Sequence, residues 1–282
     1  MKRKVALYSA ALLAAGEALA EGAPRPTAPI EQIAGSSPCR SESQAPSAYV
    51  AGLALTFARA LCEPDRADVK VISAAAGDPA RPAGKADGLT VFDNTFRDLG
   101  MKNDADGVDT LRHTYVLLLA LGLVESSGRY CVGRDTTEHF TQADTAEAGL
   151  LQTSFGAHQF NSTLGPMFRS YQAQHDPARC MFDVFSHHIS CGRHDDENFG
   201  DPNSDGFQWQ ALTKQCPAFS AEYGAVVLRT HGGFHGEFGP INCFVRPFNH
   251  CQKPHVFASC DAMFSKVQDF VSKNPSICEG VK

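Results

Sequence analysis

The sequence predicts a mainly α-helical domain braced by disulfides, and three observations carry that expectation. Apolar residues recur at helical spacing through most of the chain, while strand-like alternation is sparse. All ten cysteines lie from Cys39 onward. The N-terminus has the form of an export signal, which would deliver those cysteines to a compartment where disulfides form.

Taken in order, Lys2, Arg3 and Lys4 are cationic, Val5 to Ala15 is apolar, and Ala18-Leu19-Ala20 is a small-x-small cleavage site. Residues 1–20 are therefore read as a signal peptide, with the mature chain starting at Glu21. The apolar stretch is too short to span a bilayer, and the next longest, Val116 to Val124, is shorter still, so no membrane span is expected. Residues 21–46 hold Pro24, Pro26, Pro29, Pro38 and Pro46 among small and polar residues, which reads as an extended Pro/Ser-rich linker. The domain is then expected over 47–282. Ser47 caps a first helix through Leu61, and Ala74 to Gly88 is a breaker-rich surface loop. Asp109 or Thr110 caps a second helix to about Ser126, whose Val116 to Val124 part is apolar on every side and so belongs at the centre. Further helices are expected over Leu164 to Gln174, Arg179 to Ile189, Phe207 to Gln215, Pro217 to Arg229 and Cys260 to Val271.

Charge and cysteine spacing narrow the function classes. Lys plus Arg total 25 against 31 for Asp plus Glu, a net charge of -6, so no cationic field favours nucleic acid as a partner. Loss of the leader removes three basic residues and Glu17, leaving 22 cations against 30 anions and a net charge of -8. An even cysteine count in an exported chain points to disulfides, up to five of them. No C-x-x-C pair is present, which argues against a cysteine metal site, and a free nucleophilic Cys131 would leave another cysteine of the even set unpaired. Neither metal nor cofactor is expected, and the chain is expected to act as a monomer.

The chemistry-bearing stretch begins where the apolar helix ends, at Glu125-Ser126-Ser127-Gly128-Arg129-Tyr130-Cys131. A carboxylate in the last turn meets the negative end of the helix dipole and partial desolvation, and both favour its protonated form. A carboxyl that keeps its proton near neutral pH is what a general acid needs. The plainer alternative is a Glu125 turned outward to water before Gly128 stops the helix.

Downstream comes Thr145-Ala146-Glu147-Ala148-Gly149-Leu150-Leu151-Gln152-Thr153-Ser154. Glu-Ser-x-Gly at a helix end followed by Gly-Leu-Leu-Gln resembles the lysozyme-like superfamily, especially goose-type lysozymes and soluble lytic transglycosylases of glycoside hydrolase family 23. The resemblance covers about residues 109–175; Leu151 stands where those families have Met, and the spacing from Glu125 to Gly149 is longer, as though the intervening loop carried an insertion. It implies a lysozyme-like helical domain that cleaves β-1,4 bonds in N-acetylated amino-sugar polymers, peptidoglycan or chitin, with Glu125 protonating the glycosidic oxygen.

A second carboxylate would act as base in an inverting enzyme or as nucleophile in a retaining one, whereas lytic transglycosylases need only one Glu. Candidates are Asp135, Glu138, Asp144 and Glu147. Glu147 ranks first because the resemblance places its neighbour Gly149 across the cleft from the acid, and Asp135 ranks second. Ser127, Gln152, Thr153 and Ser154 are expected to hydrogen-bond sugar substituents, and Gly149 to let backbone approach the sugar. Tyr171 and Trp209 are either sugar-stacking rings or core residues. In the glycine-rich Arg229 to Pro240 stretch, His231, His235 and Glu237 lack the helical H-E-x-x-H spacing of a metal site, so His235 and Glu237 are read as cleft-wall contacts. Asp201 to Gly206 begins like a calcium loop, yet its twelfth position is Leu212 where a bidentate Glu is needed. The rival classes are a non-catalytic glycan-binding protein and a disulfide-rich secreted effector. Either way, the location is expected to be secreted or periplasmic.

Overall fold

The computed structural model describes residues 26–77, 87–134, 139, 141–174, 176–192, 195, 197–231 and 254–281. The expected signal peptide and the start of the expected linker lie outside them. Within them the protein is helical throughout, with an isolated antiparallel bridge between Ala148 and Thr153 as its β pairing.

Three helices form the interior: α3 (Ser47–Cys62), α7 (Val108–Ser126) and α12 (Pro217–Thr230). Their sequences carry no continuous polar stripe, so each is buried on all sides over most of its length. A fourth long helix, α13 (Pro254–Lys273), packs on α3 and α7 and closes an aromatic cluster in which the Phe57, Tyr115 and Phe264 rings meet edge to face at 5.2–5.8 Å. Around this interior lie the short helices α4 (Ala67–Ile72), α5 (Gly88–Val91) and α6 (Asp93–Asp98), then α8 (Leu164–Ala173) and α11 (Asp205–Gln215). The rings of Trp209, Phe219, Tyr223 and Tyr171 form a second aromatic cluster where α8, α11 and α12 meet.

The expected linker over residues 21–46 is corrected from Pro26 onward. Helices α1 (Ala28–Gly35) and α2 (Pro38–Ser43) pack against α3 and α13, burying Ile30, Ala34 and Cys39. The prolines misled because Pro29 and Pro38 occupy the first turns of these helices, where the missing N–H has no intrahelical partner to lose. The folded unit thus begins before residue 47.

The expected Arg179 to Ile189 helix is also two pieces, α9 (Pro177–Cys180) and α10 (Phe182–Ser186), broken by Met181 in the left-handed region at φ 51°. The break turns α10 so that the Phe185 ring lies flat on Gly52 of α3, where an added Cβ would come within 2.4 Å of it.

Four disulfides join Cys39 to Cys260, Cys62 to Cys278, Cys131 to Cys191 and Cys180 to Cys216. The first two link chain positions more than two hundred residues apart, the spans over which cross-linking removes the most unfolded-state entropy. They tie the N-terminal helices to α13 and to the terminal turn α14 (Cys278–Val281). Cys243 and Cys251 lie outside the described residues. Among the described residues no helix is long and apolar enough to cross a membrane.

Candidate active site

Glu125 sits in the last turn of α7, half-buried, and the helix end that holds it is determined by packing. Ser127 and Gly128 both take left-handed backbone at φ 56° and 71°. The chain thereby folds back, so that the Gly128 N–H donates to Gly122 O at 2.9 Å and the Ser127 N–H to Leu123 O at 3.1 Å, filling carbonyls the helix end leaves open. Only glycine fits at 128, because an added Cβ would lie 2.8 Å from the Tyr49 ring and 3.0 Å from Pro46. Tyr49 is itself fixed from within: its hydroxyl donates to Leu118 O at 2.6 Å, and burial pushes its pKa well above the usual phenol value.

The Gly149 to Gln152 turn docks on this helix end. Ser126 Oγ lies 2.7 Å from Leu150 O and 2.9 Å from Gly122 O, so its one proton is shared between the turn and its own helix. Below it, Leu151 packs between two helices. A Cβ on Gly224 of α12 would come within 2.2 Å of Leu151 Cδ1, while one on Gly122 of α7 would meet the Tyr49 hydroxyl at 2.3 Å and Leu151 Cδ2 at 3.1 Å. Gly149 has φ 80°, and a Cβ there would strike Thr213 of α11 at 2.7 Å. On the other side the Gly149 N–H donates to Val132 O at 2.8 Å, and Gln152 Nε2 donates to Gly133 O at 3.3 Å and Gly149 O at 2.9 Å.

The expected site residues therefore divide. Glu125, Ser127, Glu147, Gly149, Gln152, Thr153 and Ser154 all lie in or beside these two joined segments. Glu147 is exposed, two residues before the turn begins. Gln152 is corrected from a sugar contact to a clasp, since its amide nitrogen is engaged by backbone carbonyls and the residue is buried. Thr153 is buried too, with its Oγ1 unpartnered. Ser154 is half-buried and opens a 3-10 turn, Phe155–Phe160.

Of the two readings of Tyr171, the sugar-stacking one is set aside: it is an interior residue at 1% exposure, its hydroxyl 2.7 Å from Glu222 and 2.8 Å from Arg59. Trp209 is likewise fully buried. His231 stacks on the exposed ring of Phe160 at 3.7 Å between centroids. Asp144 is half-buried in a 3-10 turn. Asp135, Glu138, His235 and Glu237 lie outside the described residues. The calcium-like stretch is a helix start: Ser204 caps α11 by accepting from the Phe207 N–H, and Asp205 pairs with Arg169. Among the described residues Cys131, Cys191 and Asp195 are the group that comes within metal-binding distance, but the two sulfurs are bonded to each other.

No family model, curated protein or solved structure matches the chain. What the site can do follows from its own side chains.

Sequence reasoning missed the carbonyls of Val132 and Gly133 and the contact partners Gly122, Gly224 and Thr213. A signal was present in the two helix glycines, which weaken a helix unless something packs closely against them.

Proposed function

We propose that the protein is an exported glycosidase that cleaves β-1,4 bonds in N-acetylated amino-sugar polymers, with Glu125 as general acid. The observation that carries this reading is the Ser126 hydrogen bond to Leu150 O, which joins the Glu-Ser helix end to the Gly-Leu-Leu-Gln turn across 24 residues of sequence. Two segments that resemble a lysozyme-like site only when taken together are thus in direct contact. The half-buried setting of Glu125 at the negative end of a buried helix favours a carboxyl that delivers a proton to the leaving oxygen. Such proton transfer contributes about 10²–10⁴ in rate.

Glu147, exposed beside the turn, is assigned to position the attacking water, with Asp135 as the alternative. A net charge of -8 after export opposes encounter with anionic bacterial wall and places neutral chitin beside peptidoglycan as substrate. The disulfides agree with a secreted or periplasmic location.

The test is cleavage of chitin oligosaccharides and of peptidoglycan by wild type and Glu125→Gln. A loss of at least about 100-fold, with the thermal midpoint unchanged or raised, is expected. Equal activity of the two proteins overturns the assignment. Mass spectrometry of the products then separates hydrolysis, which leaves reducing ends, from transglycosylation, which leaves 1,6-anhydro ends.

A further inference from the structure

We propose that the Cys131–Cys191 bridge is a site for an external dithiol, cleaved before the other three described bridges and releasing the segment that holds the Gly149 to Gln152 turn. Thiol–disulfide exchange requires in-line access to a sulfur, so exposure ranks the four bridges. Cys39, Cys260, Cys180 and Cys216 are buried, Cys62 and Cys278 are half-buried, and Cys131 is buried while its partner is not. Cys191 is exposed, on a stretch around Ile189 to Gly192 without regular structure. A pocket of about 320 Å³, walled by Tyr130, Phe182, Asn198 and Lys214, opens onto both Cys131 and Cys191 and has room for a small dithiol.

The exchange balances within that site. A thiolate of the dithiol attacks Cys191 Sγ, the S–S bond breaks, and its electron pair leaves on Cys131 Sγ, which takes a proton from water. The second thiol of the reagent then displaces Cys191 from the mixed disulfide. The bridge gains two electrons and two protons, and the dithiol closes to its own disulfide. The Asp195 carboxylate 4.0 Å from Cys131 Sγ opposes charge on the leaving sulfur, but Arg129 lies 3.5 Å from that carboxylate, and Lys214 Nζ, held by the main-chain carbonyl of Asp195 at 2.9 Å, lines the same pocket. Arg129 thus offsets the one anion beside the leaving sulfur.

The structural consequence follows from the next two residues. Val132 O and Gly133 O, the acceptors for Gly149 and Gln152, come directly after Cys131. The bridge closes a span of 60 residues that contains the whole turn. Cutting it frees one end of the backbone that positions the turn, while the other three described bridges keep α3, α12 and α13 in place.

The experiment blocks any free thiol of the full chain with N-ethylmaleimide, then applies graded dithiothreitol, traps new thiols with iodoacetamide and maps them by peptide mass. Cys131 and Cys191 should take up label about tenfold or more before the other six cysteines of the described bridges. Amide exchange in the peptide spanning residues 149–153 should rise in that species while α3, α7 and α12 stay protected. Earlier labelling at another described bridge, simultaneous labelling of all four, or unchanged exchange at 149–153 overturns the proposal. Cys131→Ala/Cys191→Ala should show the raised exchange without reductant, and full protection there also overturns it. A parallel fall in glycan cleavage is expected on the Glu125 reading, whereas labelling and exchange are independent of it, so failure of either proposal is recognised separately.

Discussion

Replacing Glu222 tests whether the interior is held by charge as well as by apolar contact. Its carboxylate, 2% exposed on α12, accepts from Arg59 Nε at 2.9 Å and lies 2.9 Å from Arg66 Nη2, while the Tyr171 hydroxyl donates to it at 2.7 Å. Burial alone would raise its pKa, but Arg59, Arg66 and Tyr171 outweigh that and hold it at about 2. Against an unfolded value of about 4.3, a depression of roughly two units corresponds to about 3 kcal/mol. Removing one member of a buried pair costs a similar ~3–5 kcal/mol, because Arg59 would remain buried and charged. For a chain of this size that is a fall of roughly 6–20 °C in thermal midpoint. The sign with pH is fixed, since a depressed carboxyl pKa stabilises the fold above the unfolded value and the contribution is lost as pH falls toward 2. Calorimetry of wild type and Glu222→Gln at pH 7, 5, 4, 3 and 2 should therefore show a gap that is constant above about pH 5 and narrows below it. A variant within a degree of wild type at pH 7, or a gap that ignores pH, refutes the reasoning.

Two further substitutions probe the docking of the turn. Ser126→Ala removes the hydroxyl shared by Leu150 O and Gly122 O, and urea denaturation should register a loss of about 1–2 kcal/mol together with lower glycan cleavage. Gly149→Ala combines left-handed backbone with a Cβ 2.7 Å from Thr213 Oγ1, for a cost of about 2–4 kcal/mol. Adding Thr213→Ser, which removes the methyl that the new Cβ would meet at 2.8 Å, should recover part of that loss in the same denaturation assay.

The long helices were legible because their apolar content leaves little choice. The expected Ser47 to Leu61, Asp109 to Ser126 and Pro217 to Arg229 segments lie within a residue or two of α3, α7 and α12. What failed was punctuation. Pro29 and Pro38 have the composition of a linker, yet a proline in the first turn of a helix is permitted, and only the Cys39–Cys260 bridge and the buried Ile30 reveal that this segment packs. Met181 and Gln152 occupy left-handed backbone that sequence assigns to glycine or asparagine, so neither the break between α9 and α10 nor the tight end of the turn had a local signal. Tyr171 could not be told from a sugar platform, because the partners that draw its hydroxyl inward, Arg59 and Glu222, lie 112 and 51 residues away.

The candidate site was legible in its residue types and illegible in its support. Glu125 and Gly149 stand out from their own segments, but what unites them is packing: Leu151 needs the absent Cβ of Gly224 and lies close on Gly122, whose own missing Cβ makes room first for the Tyr49 hydroxyl. A glycine inside a helix costs about 1 kcal/mol relative to alanine, so Gly122 and Gly224 are each unfavourable alone and are offset by what packs on them, Tyr49 and Leu151 at Gly122 and Leu151 at Gly224. The turn is thereby keyed into the buried helices, and the carboxyl beside it is carried on the end of one of them. On the proposed reading of Glu125, that mount supplies the rigid support a proton donor needs.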